Sequence, residues 1–149
     1  RFGFSDVLTM FLALNASVEL YKGGVVPLTE YAQRPYDRDI LVRVLVPKEN
    51  ARFVYQSVRN SQTDFPVLTC AAAKLADGSI RAAIGARPGK AVLYTAAPEA
   101  GEAAEEFAAR FAAEIKADIK TESNLRGGAE YRRHLAGVLT KRAVCRLEG

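Results

Sequence analysis

Two apolar runs, Phe65–Leu75 and Ile80–Ile84, meet at Ala76-Asp77-Gly78-Ser79, and this segment constrains the chain most. Asp-Gly between such runs is a strong hairpin signal, because both central residues of the tightest turn need a positive φ. The preceding run, Arg52–Val58, alternates Phe53, Tyr55 and Ser57 with Val54, Gln56 and Val58, as a half-buried strand does. Lys90–Thr95 reads as a fourth strand after the connection Ala86-Arg87-Pro88-Gly89. The expectation is an antiparallel sheet of three or four strands that needs helices to cover it.

The sequence after Pro98 supplies them. Pro98 and Glu99 are expected to open a helix, since proline fits a first turn and acidic residues suit the positive end of the macrodipole. Phe107, Phe111, Ile115 and Ile119 recur every four residues, with Ala104, Ala108 and Ala112 beside them, so one face is apolar and lies close to its support. Glu106 and Arg110 are spaced for an exposed ion pair. Glu122–Gly128 reads as a loop. A last helix, Ala129–Arg146, is expected to bury Tyr131, Leu135, Val138 and Leu139 and to keep Arg132, Arg133, His134 and Lys141 toward solvent.

Before the sheet, Ser5 caps a helix that carries Val7, Leu8, Phe11, Leu12 and Leu14 and ends at Asn15. Ala16–Tyr21 and Val25-Val26 form a hairpin around Lys22-Gly23-Gly24, and Pro27–Tyr31 makes a helical turn. Gln33–Asp39 reads as a loop. Ile40–Val46 is the most strand-like run, and its near-continuous apolarity predicts burial on both faces, with Arg43 the exception. Pro47-Lys48-Glu49-Asn50 breaks it and marks a boundary between residues 1–47 and 48–149. The chain starts without Met and enters a helix within a few residues, so it reads as the C-terminal piece of a longer protein.

Bulk properties exclude several functions. A chain of 149 residues buries roughly 70% of its unfolded surface and needs no staple. No apolar run approaches the ~20 residues of a membrane helix, and no signal peptide is visible. The net charge of +4 is spread among acids, with no basic stripe and interleaved aromatics, so no nucleic-acid partner is expected. Cys70 and Cys145 read as free thiols in apolar surroundings, which fits the cytoplasm. With two cysteines, one histidine and no ligand spacing, no metal site is expected, and no catalytic residue stands out.

Two constellations remain. Ser5-Asp6 is first an ordinary capping pair, but its hydroxyl, carboxylate and free N–H groups also suit a hydroxyl-rich or phosphate-bearing ligand. Tyr55, Gln56, Arg59 and Asp64 flank a loop beside the boundary, where clefts form. Read blandly, Arg59 and Asp64 are a surface pair.

The order of segments resembles a known family. Phe4-Ser5-Asp6-Val7-Leu8, then Leu12–Leu20, then the strand Asp39–Pro47 are similar to stretches of the FAD-binding medium subunit of molybdenum hydroxylases, the xanthine dehydrogenase and carbon monoxide dehydrogenase flavoproteins. Tyr55-Gln56-x-x-Arg59 with Asp64-Phe65-Pro66-Val67, Ile84-Gly85-Ala86, and Arg126-Gly127 with Tyr131-Arg132-Arg133 and Leu135-Ala136 extend the likeness over nearly the whole chain.

The resemblance implies an α+β fold: the end of a two-lobed FAD-binding domain over residues 1–47, then a small sandwich of a 3–4-stranded antiparallel sheet and about three helices. It implies FAD contacts from Ser5 and Asp6 to the ribityl or phosphate region, from the Leu41 backbone to the ring, and from Gln56, which stands where many relatives carry lysine. Asn124 and Gly128 stand where Asp and Ser are usual, so a weaker cap is expected on the last helix. The glycine-rich segments that grip the FAD pyrophosphate lie upstream in the family, so the chain alone is expected to bind FAD weakly or not at all and to be inactive. The implied partners are a molybdopterin-binding large subunit and an iron–sulfur small subunit, with electrons passing through FAD to NAD or another acceptor. The alternative is a non-catalytic assembly domain docked on a larger redox subunit.

Overall fold

A computed structural model describes residues 5–48 and 52–149. Phe4 of the first motif and Glu49-Asn50 of the break at the boundary lie outside the described residues. The chain runs α1 (Asp6–Ala13), β1 (Ser17–Leu20), β2 (Gly24–Pro27), α2 (Leu28–Gln33), β3 (Leu41–Leu45), β4 (Arg52–Arg59), β5 (Pro66–Lys74), β6 (Ile80–Gly85), β7 (Val92–Ala96), α3 (Ala104–Asp118) and α4 (Ala129–Glu148). The fold is α+β, as expected. A four-stranded antiparallel sheet has the order β4-β5-β6-β7, and a smaller antiparallel sheet has the order β2-β1-β3.

The large sheet is covered on both faces. On one face Leu68, Cys70 and Ala72 of β5 and Ile80, Ala82 and Ile84 of β6 meet α3 and α4. Phe107, Phe111, Ile115 and Ile119 are all buried there, as their spacing predicts, and the two phenylalanine rings stack at 5.9 Å. Each such side chain contributes roughly 1.5–3 kcal/mol by leaving water. On the other face, Ala71 and Ala83 join Leu8, Leu12 and Ala13 of α1 with Val18, Leu20 and Val26 of the small sheet. Small residues set this second spacing. A Cβ added to Gly85 would fall 2.1 Å from Thr9 Oγ1 and 2.6 Å from Thr69 Oγ1, two hydroxyls that hydrogen-bond to each other at 3.2 Å.

Several local expectations change. The hairpin turn is a three-residue loop. Gly78 has φ 85° and Asp77 has no positive φ, while Leu75 N donates to Ser79 O (2.8 Å) and Gly78 N to Leu75 O (3.0 Å). This is a type I turn closed by a left-handed glycine, which Asp77 favours by accepting from Ser79 N and Oγ at 2.9 and 2.6 Å. Helix α3 starts at Ala104 rather than Pro98, because Glu102 is engaged before the helix: it accepts from Glu99 N and pairs with Arg110 at 2.8 Å. Arg110 bonds Glu102 and Glu114, whereas Glu106 turns back to accept from Ala103 N.

Strand β3 is exposed along its whole length, not buried on both faces. It sits at the edge of the small sheet with β1 as its partner, and Leu41 and Val42 are 42% and 51% exposed. Arg43 is explained by a cross-strand ion pair to Glu19 at 2.5 Å.

The largest correction concerns α4. Arg132 is fully buried, not solvent-facing, while Tyr131 is 50% exposed. Arg132 Nε donates to Val67 O (2.8 Å), Nη1 to Glu122 O and Gly127 O (2.5 and 3.0 Å), and Nη2 to Asn124 Oδ1 (2.5 Å). Burial pushes its pKa below the ordinary guanidinium value. The helix start has no side-chain cap on Gly128, but Ser123 Oγ accepts from Ala129 N at 2.9 Å and takes over that role.

Two outcomes follow. Arg132→Met should destabilise by about 3–5 kcal/mol, because three carbonyls and one amide oxygen lose the guanidinium's hydrogen bonds, and Arg132→Lys should recover little of it, measured by urea unfolding. Arg110 and the Glu99 N–H hold Glu102 at about 2, below its ordinary 4.5. A depressed carboxylate stabilises the fold above its unfolded pKa and ceases to do so as pH falls through the folded one. Wild-type stability should therefore fall between pH about 4.5 and about 2 more than that of Glu102→Gln, measured as Tm against pH.

Candidate functional site

The N-terminus of α1 is held against the β4–β5 loop by charge. Ser5 has extended backbone, φ −158°, and its Oγ accepts from Leu8 N at 3.0 Å, so it caps the helix as its position predicts. Asp6, in the first turn, accepts from Arg59 Nη2 at 2.8 Å. Both side chains are about one-third exposed, 34% for Asp6 and 28% for Arg59. Arg59 also donates from Nη1 to Asp64 O (2.7 Å).

The expected Arg59–Asp64 carboxylate pair is therefore not what forms. The Asp64 carboxylate instead accepts from Arg126 Nε and Nη2 at 3.0 and 2.8 Å and from Phe65 N at 2.7 Å. Arg126 holds Asp64 below its ordinary pKa, and the Arg126 guanidinium lies 5.2 Å over the Phe65 ring. A chain of contacts thus runs from α1 through β4 and the β4–β5 loop to the loop before α4.

Tyr55 completes the cluster. Its ring packs with the α1 side of the sheet, and its hydroxyl is buried beside Arg59 and Ser57 without a well-formed hydrogen bond. Burial, and next the neighbouring Asp6 charge, raise its pKa above that of an ordinary phenol. The capped helix start, the Asp6–Arg59 pair and this buried phenol therefore lie together at one edge of the sheet.

The four residues expected to touch a cofactor are not all brought together. Ser5 and Asp6 are adjacent, and Leu41 lies on exposed β3, paired with Leu20. Gln56 points through the opposite face of the large sheet: its Nε2 reaches Leu139 O of α4 at 3.5 Å, and its neighbours Val54 and Val58 pack on the α3–α4 core. Tyr55, not Gln56, shares the face of Asp6. Sequence reasoning missed Arg126 as the partner of Asp64; the two are 62 positions apart, and no local spacing links them.

Cys70 lies inside β5, buried in the sheet core. Burial pushes the Cys70 thiol up to about 12, and no group of three or more possible metal ligands occurs among the described residues. No helix among them is long and apolar enough to cross a membrane. A double-mutant cycle of Asp6→Asn and Arg59→Gln should give a coupling of about 0.5–1 kcal/mol in unfolding free energy, the size of a partly exposed ion pair, with the coupling shrinking in high salt.

Residues 53–147, more than half of the chain, match the CO dehydrogenase flavoprotein C-terminal domain. No curated protein sequence matches. Among solved structures, the carbon monoxide dehydrogenase of Hydrogenophaga pseudoflava that lacks the Mo-pyranopterin moiety is similar with a TM-score of 0.78 and 21% identity, over 99% of this chain and 57% of that one. Quinoline 2-oxidoreductase of Pseudomonas putida 86 is similar at 0.76 and 19%, over 96% and 55%, and reconstituted CO dehydrogenase of Oligotropha carboxidovorans at 0.73 and 20%, over 98% and 58%. At these identities the likeness is one of fold, and the chain spans a little over half of each neighbour's length. A four-stranded sheet roofed by α3 and α4, together with the match over 53–147, places this chain in the family of CO dehydrogenase flavoprotein C-terminal domains.

Proposed function

We propose that the chain is the C-terminal part of an FAD-binding subunit of a molybdenum-containing oxidoreductase, with residues 1–47 ending the FAD-binding lobe and 48–149 forming the sandwich behind it. The observation that carries this reading is the juxtaposition of the capped α1 start, the Asp6–Arg59 pair and the buried Tyr55 hydroxyl, within a chain of this family. With the lone pairs that Leu8 N and Arg59 leave open, Ser5 Oγ and the Asp6 carboxylate would accept hydrogen bonds from ribityl hydroxyls. The free N–H groups of the first turn of α1 suit a phosphate oxygen. The Leu41 main chain on exposed β3 is open to a flat ring, and β3 itself is an edge on which further strands of the lobe can pair. Gln56 enters only as an anchor of β4 to α4, consistent with its bond to Leu139 O.

Bound FAD supplies the redox chemistry, accepting electrons from one carrier and releasing them to another. This chain's residues bind and orient it and shield one edge from water; no acid or base of the chain is assigned to the reaction. Molybdopterin and the iron–sulfur clusters belong, in this reading, to a large and a small partner subunit, with NAD or another molecule as the final acceptor. The neighbours are CO dehydrogenase and quinoline oxidoreductase, so they do not favour the xanthine dehydrogenase branch in particular. The free thiols Cys70 and Cys145 support a cytoplasmic setting.

The full-length subunit, purified with added FAD, should be yellow and should quench flavin fluorescence on binding. Asp6→Ala should weaken FAD binding by about tenfold, the loss of one charge-assisted hydrogen bond, measured by flavin fluorescence titration. A colourless full-length protein would overturn the assignment.

A further inference from the structure

The outer surfaces of α3 and α4 enclose a second feature that the flavin reading does not use. Between the two helices lies an open groove of about 330 Å³ on the side away from the large sheet. Its floor is Ala109, Ala113, Gly137 and Val138. On α3 these positions recur with Lys116 at helical spacing, and on α4 with His134 and Lys141, so each helix turns one continuous face to the groove. Small side chains leave the floor shallow and apolar over about two turns, enough to seat a third helix against the pair.

The rim carries one sign of charge. Lys116, Lys141 and Arg142 line it, all exposed, and none forms an ion pair or side-chain hydrogen bond among the described residues. Arg110, one and a half turns before Lys116 on α3, shows the contrast: it is held by Glu102 and Glu114. Three unneutralised cations around an apolar floor disfavour a second copy of this chain, because the same face would bring like charges together. They favour a segment that offers small apolar side chains on one stripe and carboxylates beside it.

We propose that the α3–α4 groove docks an acidic amphipathic helix of a partner polypeptide. The apolar floor supplies contact area, and the cations fix orientation and speed encounter. The proposal stands apart from the FAD assignment, since the groove lies on the opposite face of the sheet from Asp6 and its residues touch nothing in that cluster.

The test uses the full-length chain and a fluorescent helical peptide of about 15 residues built from Ala, Leu and Glu, with the glutamates spaced by four. Binding is read by anisotropy at low salt, against the same peptide with Lys in place of Glu. The Glu peptide should bind and the Lys peptide should not. Lys116→Glu/Lys141→Glu/Arg142→Glu should weaken binding at least about tenfold and reverse the sign of its salt dependence. Ala113→Trp, which fills the floor without changing charge, should weaken it by a similar factor at any salt. The proposal is overturned by absence of binding of the Glu peptide, by equal binding of both peptides, by indifference to Ala113→Trp, or by a short duplex DNA binding more tightly than the Glu peptide.

Discussion

Strand β5 can exist in this chain only because something lies on each of its faces. Eight of its nine residues are buried, and a strand so apolar would otherwise expose both sides to water. The helices after the sheet cover one side, and α1 with the small sheet covers the other. Most of the remaining architecture follows from this requirement. The alanines at 71 and 83, Gly85 and the Thr9–Thr69 hydroxyl pair belong to the face where α1 comes closest, and Phe107, Phe111 and Ile115 belong to the deeper one. The same double cover places the start of α1, and therefore Asp6, against the end of β4.

What could be read from the sequence was what local periodicity encodes. The β5–β6 hairpin, the four-residue spacing on α3 and the cap at Ser5 involve neighbours a few positions apart, and each is where the pattern puts it. Arg132 was misplaced by its charge, although its spacing was informative. It lies three residues before Leu135 and seven before Leu139, on the buried stripe of α4, where a guanidinium is admissible only because four acceptors surround it. A local pattern carries no record of those acceptors, which come from β5 and the loop before the helix.

The site was half legible for a similar reason. The alternation of β4 already separates Tyr55 from Gln56, so both cannot face one ligand; the structure gives Tyr55 the face of Asp6 and Gln56 the face of α4. The electrostatic chain Asp6–Arg59 and Asp64–Arg126 joins segments 53 and 62 residues apart, and nothing short of the folded arrangement pairs these particular charges. For β3, apolarity predicted burial that the structure does not show: all five residues are exposed at the edge of the small sheet.

That exposure has a consequence for handling the molecule. A five-residue run of Leu-Val-Arg-Val-Leu, with one edge unpaired among the described residues and no proline inside it, is a template for a second backbone. A second copy of the chain would tend to pair along this border, and one charge at Val42 or Val44 would be the simplest gatekeeper against fibrous or swapped assemblies.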